Sequence, residues 1–278
     1  MEPIPFYKMS GSGNDFIIID NRRGIVAAQS MPTFAARVCR RKMSAGADGL
    51  ILIEDSERVD FKWQFFNADG SRAEMCGNGA RCAARFALVQ GIAGAQMAFE
   101  TDAGIVAAEV GGERVKIKMT DPSELRLDET MDLQGGSWTI SSVNTGVPHA
   151  VAEVADIEAL DVAAVGREIR RHPRFAPAGT NANFVCPLKD GGIAVRTYER
   201  GVEGETLACG TGSVAAALVR SAKYGAASPV RVLTRSGGHL NIYFEDDGGR
   251  YHDVYLEGDA RIIYEGALCA DAWNYGGE

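Results

Sequence analysis

The chain has 278 residues, room for one large domain or two of ordinary size, and its 46% hydrophobic and 24% charged residues are the composition of a globular protein. A formal net charge of -8, with no basic block, argues against nucleic acid as the main partner. No run approaches the roughly 18 apolar residues of a membrane span, MEPIPFYKM lacks the basic-then-apolar order of a secretory signal, and six cysteines without metal-like spacing suit free thiols in a reducing cytoplasm.

In chain order, short apolar or alternating runs predict strands at 16–20 (FIIID), 50–54 (LILIE) and 61–66 (FKWQFF). Residues 32–42 read as an amphipathic surface helix. An Ala-rich apolar stretch, 78–90, reads as a buried helix that stops at Gly91. IVAAEV and RVKIKM flank Gly111-Gly112, a hairpin signal. The polar stretch TDPSELRLDETMDLQGG reads as a linker. Beyond it, 157–171 predicts a second amphipathic helix and 211–224 a second buried one, ending at Gly225. HLNIYFE and YHDVYLEG flank a turn of Asp and Gly, a second hairpin, and RIIYEGAL reads as a strand that returns to the first half.

These elements occur twice. Cys76 and Cys209 lie 133 positions apart (209 − 76), and at that one offset CGNG falls on CGTG, AGADGLILI on AGTNANFVC, FETDAG on LTRSGG and GNDFIII on GVPHAVA. Small residues alone do not hold one register over four stretches, so the expectation is two duplicated halves facing each other across a pseudo-twofold axis. The expected division is residues 1–119, completed by a C-terminal strand at 262–278, and residues 120–261.

Each half places a cysteine just before a helix. The first helical turn has unpaired N–H groups and a partial positive charge. Such sites lower a thiol's pKa from about 8.5 to roughly 3.5–7.5. They also bind a carboxylate, which the glycines after each cysteine let approach closely. One such site would suggest a nucleophile. Two suggest an amino acid whose carboxylate meets both helix ends while its Cα lies between two sulfurs. One thiolate would take the Cα proton, the other thiol would deliver one to the opposite face, and the stereocentre would invert. The scheme calls for no cofactor and no metal. Cys39, Cys82, Cys186 and Cys269 lack this context and read as structural; Gly11-Ser12-Gly13 lacks the third glycine of a dinucleotide fingerprint.

SGSGNDFIIID, FFNADGSRAEMCGNGARC, NTGVPHAV, AGTNANFV and YERGVEGETLACGTG together resemble the diaminopimelate epimerase family. The resemblance implies an α/β fold of two pseudo-symmetric domains, each a mixed, mostly antiparallel sheet curled around a central helix. It implies cofactor-independent interconversion of LL- and meso-diaminopimelate, for lysine and peptidoglycan synthesis, by a cytoplasmic homodimer. Cys76 and Cys209 become the acid/base pair, with His149 and Glu199 in support. Substrate binding falls to Asn14, Asn67, Asn181, Glu199 and Arg200, and to the backbone at Gly77, Asn78, Gly210 and Thr211. Across the repeat Asn67 matches Arg200, nine residues before each thiol, an asymmetry suited to a substrate with one reacting end and one distal end. Arg200 would fork to the distal carboxylate and Glu199 would attract the distal ammonium. Val147 stands where the family often has asparagine, with Asn144 near it in sequence. A racemase of another amino acid is the nearest alternative, followed by a dithiol redox protein and a non-catalytic amino-acid binder.

Overall fold

The structure, a computed structural model, describes residues 2–275. The chain forms two compact units, one made of the residues up to Ile117 with those from Gly258 onward, the other of Lys118–Glu257.

The first unit contains β1 (Ile4–Gly11), β2 (Asn14–Asp20), α1 (Met31–Val38), β3 (Gly49–Glu54), β4 (Phe61–Asn67), α2 (Gly77–Val89), β5 (Gln96–Thr101), β6 (Gly104–Gly111) and β7 (Arg114–Lys118). The last strand of the chain, Arg261–Leu268, runs antiparallel to β1. From there the pairing runs β1–β2 antiparallel, β2–β3 parallel, β3–β4 antiparallel, β4–β5 parallel, then β5–β6 and β6–β7 antiparallel.

The second unit contains β8 (Ser123–Leu133), β9 (Gly136–Asn144), β10 (Pro148–Glu153), α3 (Val162–Arg171), β11 (Asn181–Pro187), β12 (Ile193–Glu199), the short β13 (Gly204–Thr206), α4 (Gly210–Tyr224), β14 (Val230–Leu233), β15 (His239–Asp246) and β16 (Tyr251–Asp259), whose last two residues belong to the first unit. It repeats the same order of senses: β8–β9 and β9–β10 antiparallel, β10–β11 parallel, β11–β12 antiparallel, β12–β14 parallel, β14–β15 and β15–β16 antiparallel. β8 therefore occupies the place that the C-terminal strand fills in the first unit.

Within each unit the sheet curls around one helix. On α2 every residue from Asn78 to Ala84 is buried, and on α4 every residue from Gly212 to Val219. A helix apolar on all sides must be wrapped, and its alanines let strands approach closely. Strand alternation then divides the sheet faces. Ile17, Ile19, Leu50 and Leu52 pack outward against Phe34, Ala35 and Val38 of α1. Ala150, Ala152, Ala182 and Phe184 likewise pack against Val162 and Ile169 of α3. The alternate residues of these strands, Phe16 in one unit and His149 and Asn183 in the other, face the central helix.

Several boundaries differ from the sequence reading. α1 ends at Val38 rather than at 42, because Gly46 and Ala47 donate to the Val38 and Cys39 carbonyls and turn the chain. α3 begins at Val162 rather than 157, where Asp161 accepts from the Ala164 N–H at 2.9 Å and caps the helix. The stretch read as a linker carries β8. Most of that strand is exposed, and left-handed Glu124 and Asp128 (φ 56° and 53°) break its alternation with bulges, so no period-2 pattern survives in the sequence. Residues 276–278 of the expected C-terminal segment lie outside the described residues.

Candidate active site

Cys76 is the residue that enters α2, with extended backbone (φ −146°, ψ 117°) and its carbonyl already accepting from the Ala80 N–H at 2.8 Å. Cys209 enters α4 in the same way (φ −111°, ψ 112°), its carbonyl accepting from Ser213 at 3.0 Å. Neither helix is capped by a side chain, so the N–H groups at Gly77 and Asn78, and at Gly210 and Thr211, keep the partial positive charge of an open helix start.

At the first thiol, the Cys76 Sγ donates to Asn14 Oδ1 at 3.7 Å. The Asn14 amide is oriented from behind, since its Nδ2 donates to Asp48 Oδ2 at 2.7 Å. Asp48 in turn shares Arg41 with Asp15, and Asp15 also pairs with the buried Lys8 at 2.7 Å. Burial pushes the Asp15 carboxyl up, but hydrogen bonds from Arg41 and Lys8 outweigh it and hold the group at about 2. Asn67 ends β4, and its amide nitrogen donates to Ser71 Oγ at 3.0 Å, closing the NADGS turn. The Asn78 side chain points inward, where its Oδ1 accepts from Arg81 at 2.9 Å.

At the second thiol the surroundings are different. Cys209 is buried, with its Sγ 3.6 Å from the Thr211 hydroxyl. His149, at 1% exposure, has its Nδ1 3.1 Å from Asn183 Nδ2. The Asn183 amide is held in one orientation, because its Oδ1 accepts from Thr197 Oγ1 at 2.9 Å and its Nδ2 also donates to the Ala150 carbonyl at 2.9 Å. His149 Nδ1 must then be an acceptor, which puts the ring proton on Nε2. Burial, the Arg200 charge and, in opposition, the Asn183 hydrogen bond leave the His149 pKa down at about 3, so the ring is neutral at physiological pH. Its Nε2 is buried without a hydrogen-bond partner among the described residues.

Asn181 ties the strand ends together: its Oδ1 accepts from the Arg200 N–H at 2.7 Å, and its Nδ2 lies 3.4 Å from the Pro148 carbonyl. Arg200 reaches the Ala178 carbonyl at 3.4 Å. Glu199 ends β12 half-buried, and burial pushes its carboxyl up, opposed by the Thr206 hydroxyl. Val147 sits in the turn before β10, where its carbonyl accepts from Thr145 at 3.1 Å; the Asn144 side chain is engaged there by the Gly146 N–H at 3.0 Å. The structure thus gathers Asn14 at Cys76, and places Asn181, Glu199 and Arg200 at the adjoining ends of β11 and β12.

Two residues escaped the sequence reading. Asn183 had a signal in NAN, since residues two apart in a strand share a face. Arg81 had one as the lone charge within GNGARCAA of an otherwise apolar helix turn. Cys39 and Cys82 are buried with thiols pushed up to about 12 by desolvation, which suits packing rather than chemistry. Among the described residues, Glu245, His252 and Asp253 form an exposed cluster with metal-ligand atoms, but His252 is already engaged by Asp253 and Asp247 at 3.1 Å each.

A repeated α/β unit twice sets a thiol at the open start of a wrapped helix, an arrangement that suits thiol acid–base chemistry. The family model described as diaminopimelate epimerase matches residues 6–125 and 141–263. A diaminopimelate epimerase of Aquifex aeolicus is 47% identical, with 97% of this chain and 99% of the relative covered. One of a Hydrogenobaculum species is 46% identical, with 94% and 97% covered. The fold is shared with a crystal structure of a Bacillus anthracis phenazine biosynthesis protein of the PhzF family, at a TM-score of 0.75 and 16% identity, over 97% of this chain and 100% of that one. The chain belongs to the diaminopimelate epimerase family.

Proposed function

We propose that this protein interconverts LL- and meso-2,6-diaminopimelate through Cys76 and Cys209, one acting as thiolate and the other as thiol. The observation that carries the mechanism is the equivalent, uncapped helix-entry position of the two cysteines in a repeated fold. Family membership carries the substrate.

Removal of the Cα proton drives negative charge onto the substrate carboxylate. The N–H groups at Gly77, Asn78, Gly210 and Thr211 meet that charge as it builds; one well-placed donor of this kind contributes about 3–4 kcal/mol to lowering a barrier. The second thiol returns a proton to the opposite face, and no step is routed through a cofactor. Asn14 orients Cys76. His149, neutral and with its unpartnered Nε2 carrying the proton, supports the site as a hydrogen-bond donor rather than as a base, because Nδ1 is occupied by Asn183. Glu199 supports the proton transfers and attracts the distal ammonium, Arg200 forks to the distal carboxylate, and Asn67 and Asn181 complete the polar contacts. Product would serve lysine and peptidoglycan synthesis, made by a cytoplasmic homodimer.

Incubation with LL-diaminopimelate in deuterated water, followed by NMR at Cα, tests the reading. Deuterium enters Cα with the unmodified, reduced protein, and C76A and C209A each abolish epimerisation. Absence of exchange with pure reduced protein refutes it. Exchange into a different amino acid alone makes the protein a racemase of that compound, and activity only through a reversible Cys76–Cys209 disulfide makes it a redox protein.

A further inference from the structure

Arg81 is the largest side chain with no exposure at all. Its guanidinium makes four hydrogen bonds. Nη2 donates to Ser12 Oγ at 2.8 Å and to Asn78 Oδ1 at 2.9 Å, Nη1 to the Gly77 carbonyl and Nε to the Asp259 carbonyl, both at 3.2 Å. Each acceptor bears on the first thiol. Gly77 and Asn78 follow Cys76 in the helix. Ser12 sits at φ 53° in the turn between β1 and β2, two residues before Asn14, and both its N–H and its Oγ are held by Asp259 Oδ1 at 3.1 and 3.2 Å. The turn is pressed against the helix start, since a Cβ on Gly11 would lie 2.9 Å from the Asn78 carbonyl and 3.5 Å from Arg81 Nη2. In the repeat, position 81 corresponds to 214 (81 + 133), which is Val214, also fully buried.

We infer that Arg81 is a positioning residue for Cys76: a buried cation that clamps the Gly11–Asn14 turn to the first turn of α2, where the equivalent position of α4 holds Val214. The clamp aligns Asn14 with the sulfur, and the positive charge favours the thiolate over the thiol. Burial lowers the guanidinium pKa, opposed by the fields of Cys82, Asp259 and Cys76, yet arginine stays charged at neutral pH. The other charged or titratable groups around this turn include the buried Cys82 with Arg85 near it, Asp259 with its partner Arg261 at 3.1 Å, Arg114, and the Asp48–Arg41–Asp15–Lys8 cluster beyond Asn14. The consequence for turnover rests on the two-thiol reading; the consequence for the Cys76 thiol does not.

The experiment follows iodoacetamide alkylation of Cys76 and Cys209 as a function of pH, peptide by peptide, in the full chain. R81M is expected to raise the Cys76 midpoint by about one pH unit, a roughly tenfold slower reaction at fixed pH below it, and to leave the Cys209 midpoint in place. R81K keeps the charge but not the fork, so the midpoint stays near that of the unmodified protein while kcat falls about tenfold with little change in KM. S12A cuts the tether and leaves the cation, so kcat falls several-fold without a midpoint shift. An unchanged Cys76 midpoint in folded R81M overturns the inference. Should R81M not fold, unmodified kcat in both R81K and S12A overturns it. Lack of Cα exchange in the unmodified protein refutes the epimerase reading instead, and leaves the alkylation result standing.

Discussion

Gly79 and Gly212 hold the same position in α2 and α4, and the structure assigns them opposite tolerances to alanine. A Cβ on Gly212 would lie 2.2 Å from Asn183 Oδ1 and 3.2 Å from both Asn183 Cγ and Cys209 Sγ. Asn183 has no room to yield, being 1% exposed and hydrogen-bonded to Thr197, Ala150 and His149. Forcing it aside strands two or three buried polar groups at about 1–3 kcal/mol each. Alanine returns about 1 kcal/mol of helix propensity over glycine. G212A should therefore destabilise the protein by at least about 1 kcal/mol and by as much as about 8 kcal/mol. At Gly79 the nearest atoms are the terminal methyl of Ile51 at 3.2 Å and the Phe16 ring edge at 3.5 Å. The methyl can give by a few tenths of an ångström, so G79A should change stability by less than about 1 kcal/mol. Equilibrium unfolding in urea of both variants checks the pair, and alkylation of Cys209 reports whether its surroundings shift in G212A alone. Equal urea midpoints for the two variants would refute the reasoning, because it rests wholly on what lies beneath each glycine.

His149 gives a pH signature. The unfolded chain binds a proton at His149 below about pH 6.5 that the folded protein refuses until about pH 3, so stability present above 6.5 is lost as pH falls through that window. Between pH 7 and pH 4 H149F should remove about 3 kcal/mol of this acid destabilisation, while cutting epimerisation at least tenfold; unfolding curves of both proteins at those two pH values measure the difference. D15N should cost about 3 kcal/mol, since it removes the carboxylate from the buried Lys8 ammonium, and should weaken the acid sensitivity that the Asp15 carboxyl adds between about pH 4 and 2. Thermal unfolding at neutral pH, compared with D48N at the more exposed partner, tests that assignment.

The duplication, the two wrapped helices and the two thiols were legible in the chain because each rests on local chemistry. Alanine-rich apolar runs ending in glycine can only be helices buried on all sides, and a cysteine placed before such a run sits at an open helix start. β8 was not legible: its side chains face water and its bulges destroy the alternation that marks a strand. Nor were the supports of the thiols. The repeat aligns His149 with Phe16 and Val214 with Arg81, and the strand registers put Asn183 in the place of Ile51, yet the chain does not say that His149 and Asn183 meet beneath α4 while Arg81 braces the turn beside Cys76. Such partners come from strands and turns far apart in sequence, and the burial that fixes their protonation and hydrogen bonds exists only once the sheet has closed on its helix. Which thiol has a buried cation and which a neutral imidazole was therefore decided by tertiary packing, through desolvation and long-range contacts that no stretch of the chain encodes by itself.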